Sequence, residues 1–396
     1  MEEWKTYLVE DLFEEIAMGP FGSNIKVDCF QPTGVPVLNG SNLFGYTLNE
    51  DSFNYVSTEK ADSLGRSNAF RGDIVITHRG TLGQIVYIPE NSKYDRYVIS
   101  QSQFRLKLDT TKVLPSFFVY FFHTRLGQHR LLSNASQVGV PAIARPTSTF
   151  KKVEIELPSI SLQQRIVDIL DSIGNKIELN NRINHNLEEQ ARNIFLSYID
   201  CDCVECPFSD LITVGSGGTP RTSESRFWNG DIPFFSPKDV SNSCFTLFTE
   251  KLITKDGLNN CNSSLYHENT TFITARGTVG KISLAGVSMA MNQSCFALTS
   301  KDNTPYFAYF LTERVVESLK KKANGAVFDA INSKDILQEL VRVPNRDVIF
   351  QIEDRIRPYM NSIRFKSIEN LYLTDTRDTL LPKLLSGELK INDLTC

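Results

Sequence analysis

The clearest pattern of apolar and polar positions in this chain is a helical seam that occurs twice. Residues 162–199 contain no proline, and apolar side chains recur there at spacings of four and three, as on the contact face of a coiled coil. The first seam comprises Ile166, Leu170, Ile173, Ile177, Asn180, Asn184, Leu187, Ala191, Ile194 and Tyr198. The offset that matches Pro158 to Pro344 gives the second seam, Ile352, Ile356, Tyr359, Ile363, Lys366, Asn370, Leu373, Arg377, Leu380 and Leu384. We therefore predict two long helices, each about 57 Å at 1.5 Å per residue.

Both seams become polar near their midpoints, at Asn180 and Asn184 in the first and at Lys366 and Asn370 in the second. If the helices pack antiparallel about a pseudo-two-fold axis, these positions face each other and form a layer that fixes the register. A parallel pair of helices would also bring these polar positions opposite each other, and it would place both globules at the same end of the helix pair. A third interpretation is that the four residues simply lie on a wetter part of the seam.

The second half of the chain repeats motifs of the first half in the same order. Residues 77–83 read THRGTLG and residues 274–280 read TARGTVG, so five of seven positions are identical. Gln101-Ser102-Gln103-Phe104 corresponds to Gln293-Ser294-Cys295-Phe296, and Tyr120-Phe121 corresponds to Tyr309-Phe310. Two copies of one domain are the simplest explanation.

Within each copy, short β-rich runs at 73–77, 84–88 and 272–274 alternate with turn residues, and 116–132 and 306–322 have helical patterns. The fold class is therefore mixed, α/β or α+β. We divide the chain into globules at 1–160 and 200–345 and long helices at 161–199 and 346–396, the last with the C-terminal tail. Two different modules on a helical spacer could address two unlike DNA half-sites, about one helical turn or more apart.

Composition and charge narrow the function classes. The formal net charge of −4 argues against non-specific coating of nucleic acid, although local basic loops could still bind a specific site. The acidic N-terminus and the absence of a long apolar run predict a cytoplasmic protein without a membrane span. Cys201, Cys203 and Cys206 could offer three thiolates to zinc, but no second cysteine pair follows, so free thiols and no metal are expected.

Glycine-rich, polar and basic turns provide the candidate DNA contacts. Arg79 and Arg276 each precede a glycine, where a guanidinium could reach phosphate or the O6/N7 edge of guanine. The candidates in the first copy are Ser23, Lys26, Asn39, Ser41, Asn42, Arg79, Thr81 and Gln101, and those in the second are Thr219, Arg221, Lys238, Arg276, Thr278 and Gln293. A purely structural turn is the alternative for each residue.

Catalytic motifs are absent from the sequence. It contains neither the Asn-Pro-Pro-aromatic nor the Asp-Pro-Pro-aromatic tetrapeptide of an amino-methyltransferase, and no convincing glycine-rich cofactor loop follows a strand. The run Gly277 to Lys281 is two residues short of a phosphate-binding loop. The five histidines have neither metal nor triad spacing. We therefore assign no catalytic residues and no bound cofactor to this chain.

Several runs resemble the DNA-specificity subunits of type I restriction-modification systems, and the resemblance spans the whole chain. Residues 217–220 (GGTP), 228–233 (WNGDIP) and 237–240 (PKDV) look like the opening of a target-recognition domain in that family. Residues 380–389 (LLPKLLSGEL) resemble the end of its second conserved helix, and Pro158 through Ile166 the start of its first. The first globule opens with GPFGS at 19–23 instead of GGTP.

This resemblance implies two pseudo-symmetric target-recognition domains separated by two long antiparallel coiled-coil helices. It also implies double-stranded DNA as a partner, two modification subunits that methylate adenine with S-adenosylmethionine, and restriction subunits that use ATP and Mg²⁺. The chain itself would be a non-catalytic reader of a two-part sequence. The alternatives are a coiled-coil scaffold with two protein-binding modules, and a nuclease with an unrecognised site.

Overall fold

The fold is known from a computed structural model, and it separates into two compact units. The described residues are 4–136, 139–199, 203–241, 243–322 and 330–391, without the side chains of Ser23 and Ile199. One unit comprises Met1–Asn175 and Thr374–Cys396, and the other comprises Lys176–Leu373. Each long helix is thus divided between the units, whereas the sequence-based partition treated the helices as separate segments. The physical reason is that their apolar faces complete the cores of the globules.

The first unit contains short strands and helices. Its strands are β1 (Lys5–Leu8), β2 (Phe13–Met18), β3 (Val35–Val37), β4 (Asn54–Val56), β5 (Asn68–Phe70), β6 (Ile74–Thr77), β7 (Ile85–Tyr87), β8 (Arg96–Val98), β9 (Gln103–Leu108), β10 (Ala135–Ser136), β11 (Ala142–Ile143) and β12 (Glu154–Leu157). Its helices are α1 (Thr58–Ser63), α2 (Pro115–His123), α3 (Arg125–Leu131) and α4 (Pro146–Phe150), followed by the first long helix, α5 (Ile160–Ile199).

Two four-stranded sheets form the first globule, with strand orders β2-β9-β6-β7 and β4-β3-β8-β5. Every residue of β6 is buried, as expected for a strand that is covered on both faces. Ile74 and Ile76 contribute to the core that contains Phe118 of α2, whereas Val75 contributes to a smaller core with Tyr97. The alternation of the strand therefore distributes its side chains between two cores.

The helical pattern predicted over 116–132 is present as two helices, because Thr124 separates α2 from α3. Thr124 has extended backbone angles, and its Oγ1 accepts a hydrogen bond from the backbone N–H of Gly127 at 3.0 Å. This is an N-cap, which starts a new helix. A Cβ on Gly127 would lie 2.1 Å from the carbonyl oxygen of Phe121, so the tight junction requires glycine.

The second unit repeats this plan. Its strands are β13 (Val204–Pro207), β14 (Ile212–Ser216), β15 (Trp228–Phe235), β16 (Phe245–Thr246), β17 (Leu252–Ile253), β18 (Thr271–Thr274), β19 (Ile282–Ala285), β20 (Ala290–Met291), β21 (Cys295–Ser300) and β22 (Leu340–Val343). Its helices are α6 (Lys255–Asn259), α7 (Pro305–Lys322) and α8 (Ser333–Gln338), followed by the second long helix, α9 (Arg346–Leu385).

Strand order confirms the duplication that the motif pairs predict. The sheet β14-β21-β18-β19-β16 repeats the order β2-β9-β6-β7 with one strand added at the edge. The antiparallel pair β13 and β22 likewise repeats the pair β1 and β12, which brings the start and the end of each globule together. The mixed helix and strand fold in two copies is thereby established.

The long helices pack against each other inside each unit. In the first unit, Leu170 of α5 and Leu384 of α9 belong to one buried core. In the second unit, Asn180 donates from Nδ2 to Oδ1 of Asn370 at 2.8 Å, and Asn184 donates to Oγ of Ser367 at 3.2 Å. Because the partner number falls as the α5 number rises, the pairing there is antiparallel, which decides between the two orientations left open by the sequence.

Candidate DNA interface

Three loops that the sequence singles out meet in the first globule. A Cβ on Gly19 would lie 1.9 Å from the carbonyl oxygen of Ser100, so only glycine lets the opening loop lie against the turn before β9. The backbone N–H of His78 donates to the carbonyl oxygen of Ser102 at 2.8 Å. His78 Nε2 also lies 3.2 Å from the carbonyl oxygen of Gln101. We call the residues 19–24, 78–83 and 100–103 the first loop cluster.

The corresponding loops meet in the second globule. A Cβ on Gly217 would lie 1.9 Å from the carbonyl oxygen of Asn292, which repeats the approach of Gly19 to Ser100. Thr219 Oγ1 donates a hydrogen bond to Oε1 of Gln293, and the N–H of Ala275 donates to the carbonyl oxygen of Ser294 at 2.7 Å. The residues 217–221, 275–280 and 292–294 are therefore the second loop cluster, assembled in the same way as the first.

Each cluster presents an arginine that precedes a glycine on a tight turn, Arg79 in the first and Arg276 in the second. Gly80 and Gly277, which follow the arginines, have φ values of 90° and 82°, a conformation that L side chains rarely adopt. The backbone of Arg79 bridges to Ala142, and that of Arg276 bridges to Ala330. Both arginines are exposed, and neither forms an ion pair with any described residue. Two guanidinium groups on turns with a fixed backbone are thus available to an anionic partner.

The turn at 39–42 is the counterpart of the turn at 236–239. Asn39 and Asn42 form a capping box in which each side chain accepts a backbone N–H of the other end, and Ser236 and Asp239 do the same. Gln84 fixes the first turn to the sheet: its Nε2 donates to the carbonyl oxygen of Gly40 at 2.9 Å. The two turns therefore have a common architecture at the ends of β3 and β15.

Asn42 does not fit the predicted role of a DNA contact. It is 1% exposed, and its Nδ2 donates to the carbonyl oxygens of Asn49 and Ser52, both at 3.0 Å. Its Oδ1 accepts the N–H of Asn39 at 3.0 Å. Because every polar atom of this side chain holds the loop together, we remove Asn42 from the candidate contacts and assign it a structural role.

The remaining candidates are exposed wherever their side chains are described. This set comprises Lys26, Asn39, Ser41, Arg79, Thr81, Gln101, Thr219, Arg221, Lys238, Arg276, Thr278 and Gln293. The Ser23 side chain lies outside the description. Arg79, Thr81 and Gln101 lie in the first cluster, and their counterparts lie in the second. No described hydrogen bond joins the side chain of Lys26 to the first cluster, so the structure does not bring that lysine into it.

Sequence reasoning missed Arg145, which follows the strand that bridges to Arg79. It is exposed and has a φ of 47°, in the left-handed region, directly before Pro146. A non-glycine residue in that region is uncommon, and one before proline is more restricted still. The signal available in the sequence was the combination of glycine, two prolines and one arginine in residues 139–146 (GVPAIARP).

The polar positions of the helix pair form a hydrogen-bonded layer within the second unit. Asn180 is fully buried and donates to Glu369 as well as to Asn370, both at 2.8 Å. The hydrogen bond from Asn180 lowers the pKa of Glu369, with Lys176 acting in the same direction. Lys366 has no described hydrogen bond, and Ser367 contacts Asn184 instead. Three of the four predicted positions therefore belong to the layer.

Two negative findings concern the described residues alone. Within them, no group of three His, Cys, Asp or Glu side chains is arranged to hold a metal ion. Cys201 of the cysteine cluster lies outside the description, and burial raises the pKa of Cys206. No helix in the described ranges combines the length and apolarity needed to cross a membrane.

Comparison with known proteins decides the family. The model of the type I restriction modification DNA specificity domain matches residues 1–189 and again residues 202–370. The chain belongs to this specificity family. Each matched range contains one loop cluster, so the family domain and the duplicated globule coincide. The two copies are therefore two DNA specificity domains.

Two named relatives are similar in sequence, and one solved structure is similar in fold, over nearly the full length of this specificity protein. It is 22% identical to the type I restriction enzyme HindI specificity subunit of Haemophilus influenzae, over 98% of this chain and 100% of that one. It is 24% identical to the MjaIX specificity subunit of Methanocaldococcus jannaschii, over 99% and 95%. The crystal structure of a type I S subunit from M. genitalium has a similar fold, with a TM-score of 0.61 at 17% identity over 97% and 96% of the two chains.

Proposed function

We propose that this chain reads a bipartite DNA target, with one loop cluster for each half-site. The observation that carries the proposal is the repeated assembly of three loops around an exposed, unpaired arginine, Arg79 in one globule and Arg276 in the other. Guanidinium groups held on rigid turns suit bidentate contacts with guanine or phosphate. The opening loops of the two clusters differ, GPFGS at 19–23 in the first and GGTPR at 217–221 in the second, so the two half-sites differ in sequence.

The helix pair sets the distance between the half-sites in this proposal. Its antiparallel register is fixed within the second unit by Asn180, Asn184 and Asn370. A polar layer in an otherwise apolar seam selects one register over its neighbours, because a slip would bury unpaired amides. Support for this role comes from the position of the layer near the middle of both 40-residue helices.

The chain works in this proposal as the non-catalytic subunit of a cytoplasmic complex. Two modification subunits supply S-adenosylmethionine and methylate an adenine in each half-site, and restriction subunits supply ATP-driven cleavage with Mg²⁺. The exposed faces of α5 and α9 offer docking surfaces, on which Leu179, Phe365 and Tyr372 are 48%, 67% and 71% exposed. Large exposed apolar side chains on one helix pair are typical of a protein interface.

The experiment is methylation mapping by the complex reconstituted with its modification subunits. We expect Arg79→Ala to relax or abolish recognition of one half-site and Arg276→Ala to affect the other, each with a loss of about 1–3 kcal/mol of binding free energy. Arg226→Ala, which removes an exposed arginine outside both clusters, is the matched control and should leave the motif intact. The proposal fails if neither cluster arginine changes binding, or if the isolated chain methylates DNA.

A further inference from the structure

In the first unit, a tyrosine fills the space between the globule and the long helices. Its ring centroid lies 4.6 Å from that of Tyr120 and 4.6 Å from that of His123. The guanidinium of Arg377 on α9 lies 5.2 Å from the ring centroid of this tyrosine, Tyr46, at the distance of a cation–π contact. The phenol is therefore packed among two rings and one cation.

Cys244 takes the place of Tyr46 in the second unit. The carbonyl oxygen of Tyr46 accepts a hydrogen bond from the N–H of Tyr87 on β7, and that of Cys244 accepts one from Leu284 on β19. The strands β7 and β19 follow the two THRGTLG-like motifs at the same distance, so the positions are equivalent. A thiol is much smaller than a phenol ring, and it does not fill the space.

A cleft of about 900 Å³ lies beside Cys244. Its walls come from α5, α9 and the loop around β16, and they include Asn184, Glu188, Ser367, Leu371, Cys244 and Phe248. Phe248 is 66% exposed and stands at this cleft. A cleft of this size accommodates several side chains of a polypeptide segment or a medium-sized ligand.

The cleft is acidic. Glu188, Asp239 and Glu250 line it, with Lys238 and His185 as the titratable basic groups. Behind it, the guanidinium of Arg192 is shared by Glu188, Glu189 and Glu313. Burial raises the pKa of Glu188, and the neighbouring carboxylate of Glu313 acts in the same direction. Phosphates of DNA are poorly suited to such a cleft, whereas a basic group is well suited.

One polar atom in the cleft wall lacks a partner. Oδ1 of Asn184 is buried and accepts no hydrogen bond from any described residue. An unsatisfied buried acceptor costs about 1–3 kcal/mol, but this atom is closed off from the cleft and does not select its occupant. The acidic lining and the missing tyrosine ring instead favour an occupant with a positive charge and an aromatic ring.

We propose that this cleft is the docking site for a polypeptide segment of a partner subunit that carries an aromatic side chain next to a basic one. The Tyr46 and Arg377 pair of the first unit is the internal template for that occupant. Because the first unit fills its own space, the docking is asymmetric and occurs at the second globule alone. This inference rests on the proposed function, since the partner is a subunit of the restriction-modification complex.

Photo-crosslinking in the complete complex tests the proposal. Benzoylphenylalanine replaces Phe248 in one sample and, in a control, Phe44, which is 64% exposed and lies two residues before Tyr46 in the first unit. We expect a crosslink from position 248 to one partner peptide that contains an aromatic and a basic residue, with no such crosslink from position 44. Equal crosslinking at both positions, no crosslink at 248, or a peptide without a basic residue would each overturn it.

A second pair of variants tests whether the missing ring creates the site. Cys244→Tyr should refill the cleft and lower the crosslink yield at 248 by about tenfold, which corresponds to roughly 1.4 kcal/mol. Cys244→Ser should leave the yield unchanged, and an equal yield in both variants contradicts the proposal. Recognition of the bipartite DNA target is measured in the same samples. A complex that recognises both half-sites but gives no crosslink disproves the docking alone. A complex of the unsubstituted chain that recognises no bipartite target disproves the proposed function.

Discussion

Asn180 and Asn370 are hydrogen bonded side chain to side chain across the antiparallel helix pair, Nδ2 to Oδ1 at 2.8 Å. Oδ1 of Asn180 is itself buried without a described partner, so the contact is costly as well as specific. A buried asparagine at a seam position is known to trade stability for a unique register. In this specificity protein, the buried asparagine near the middle of the helix seam therefore lowers stability and fixes the register.

Replacing both asparagines, Asn180→Leu with Asn370→Leu, should stabilise the helix pair and loosen its register. We expect unfolding to require about 1–4 kcal/mol more free energy, because the buried Asn180 and the half-buried Asn370 are exchanged for packed apolar groups. The gap between the methylated half-sites should become heterogeneous. Denaturant unfolding and methylation mapping measure the two effects, and Ile363→Leu on the same seam serves as the control. A single, unchanged gap in the double variant would show that the layer does not set the register.

The N-terminus of α7 is capped by a carboxylate from α9, and this should make stability depend on pH. Oε2 of Glu353 accepts the N–H groups of Tyr306 and Phe307 at 3.0 and 2.8 Å, and burial raises the pKa of Glu353 to about 7. The folded state therefore binds this proton more tightly than the unfolded state, whose carboxyl has a pKa near 4.5. The contribution to stability is largest below pH 4.5 and falls as the pH rises to 7, by about 3 kcal/mol.

Glu353→Gln keeps the acceptor and removes the charge, so the thermal midpoint of this variant should vary less between pH 5 and 8 than that of the unsubstituted chain. In the first unit, Gln163 of α5 takes a comparable part at the start of α2, where its Oε1 accepts the N–H of Leu114 at 3.0 Å. Gln163→Glu should introduce a new fall in stability over the same pH range. Parallel pH profiles for all three proteins would contradict this assignment of the cap.

Glycine at the opening loops should be required for recognition. Gly19→Ala and Gly217→Ala each place a Cβ 1.9 Å from a carbonyl oxygen, so the loop must move away from the cluster. We expect each variant to weaken recognition of one half-site and to lose about 1–3 kcal/mol of stability. Gly174→Ala is the control, because nothing lies within 4 Å of its Cβ position on α5 and alanine favours helix by up to about 1 kcal/mol. Normal DNA affinity in the loop variants would exclude the cluster from binding.

A buried ion pair network should dominate the stability of the first globule. Arg105 is 5% exposed and contacts Asp73 at 3.2 Å and Glu15 at 2.9 Å. Arg105→Met leaves the buried Asp73 without its ionic partner and Glu15 with Arg66 alone, and it should cost about 3–5 kcal/mol. Arg66→Met removes an arginine that contacts the same Glu15 but is 72% exposed, and should cost less than about 1 kcal/mol. Chemical denaturation compares the two variants, and similar losses would contradict the network's importance.

The sequence predicted features that depend on periodicity or on comparison between the two copies. The seam predicted two long helices, and α5 and α9 lie at Ile160–Ile199 and Arg346–Leu385. The polar midpoints anticipated the contact of Asn180 with Asn370, because two equivalent antiparallel helices must bring their midpoints together. The paired motifs also located the loops that form both clusters. Each of these inferences uses either the helical period or the internal duplication, and both can be recognised in the amino-acid sequence.

Features that depend on which atoms meet in space were not predictable. The capping box that buries Asn42 looks like any polar turn in the sequence, and the break at Thr124 interrupts an otherwise helical apolar pattern. The presence of Cys244 where the first unit has Tyr46 can be recognised only from the strand pairing, which shows that the two positions are equivalent. Loops of different length hide such equivalence from sequence comparison.

The most direct test of two independent readers on one chain is a domain exchange followed by genome-wide mapping of methylated adenines. Residues 200–345 are replaced by the corresponding domain of another member of the specificity family, and the complex is expressed with its modification subunits. We expect a bipartite motif in which one half-site is new, while the other half-site and the gap are unchanged. A motif altered in both halves, or a motif unaltered in both halves, would contradict the assignment of one half-site to each globule.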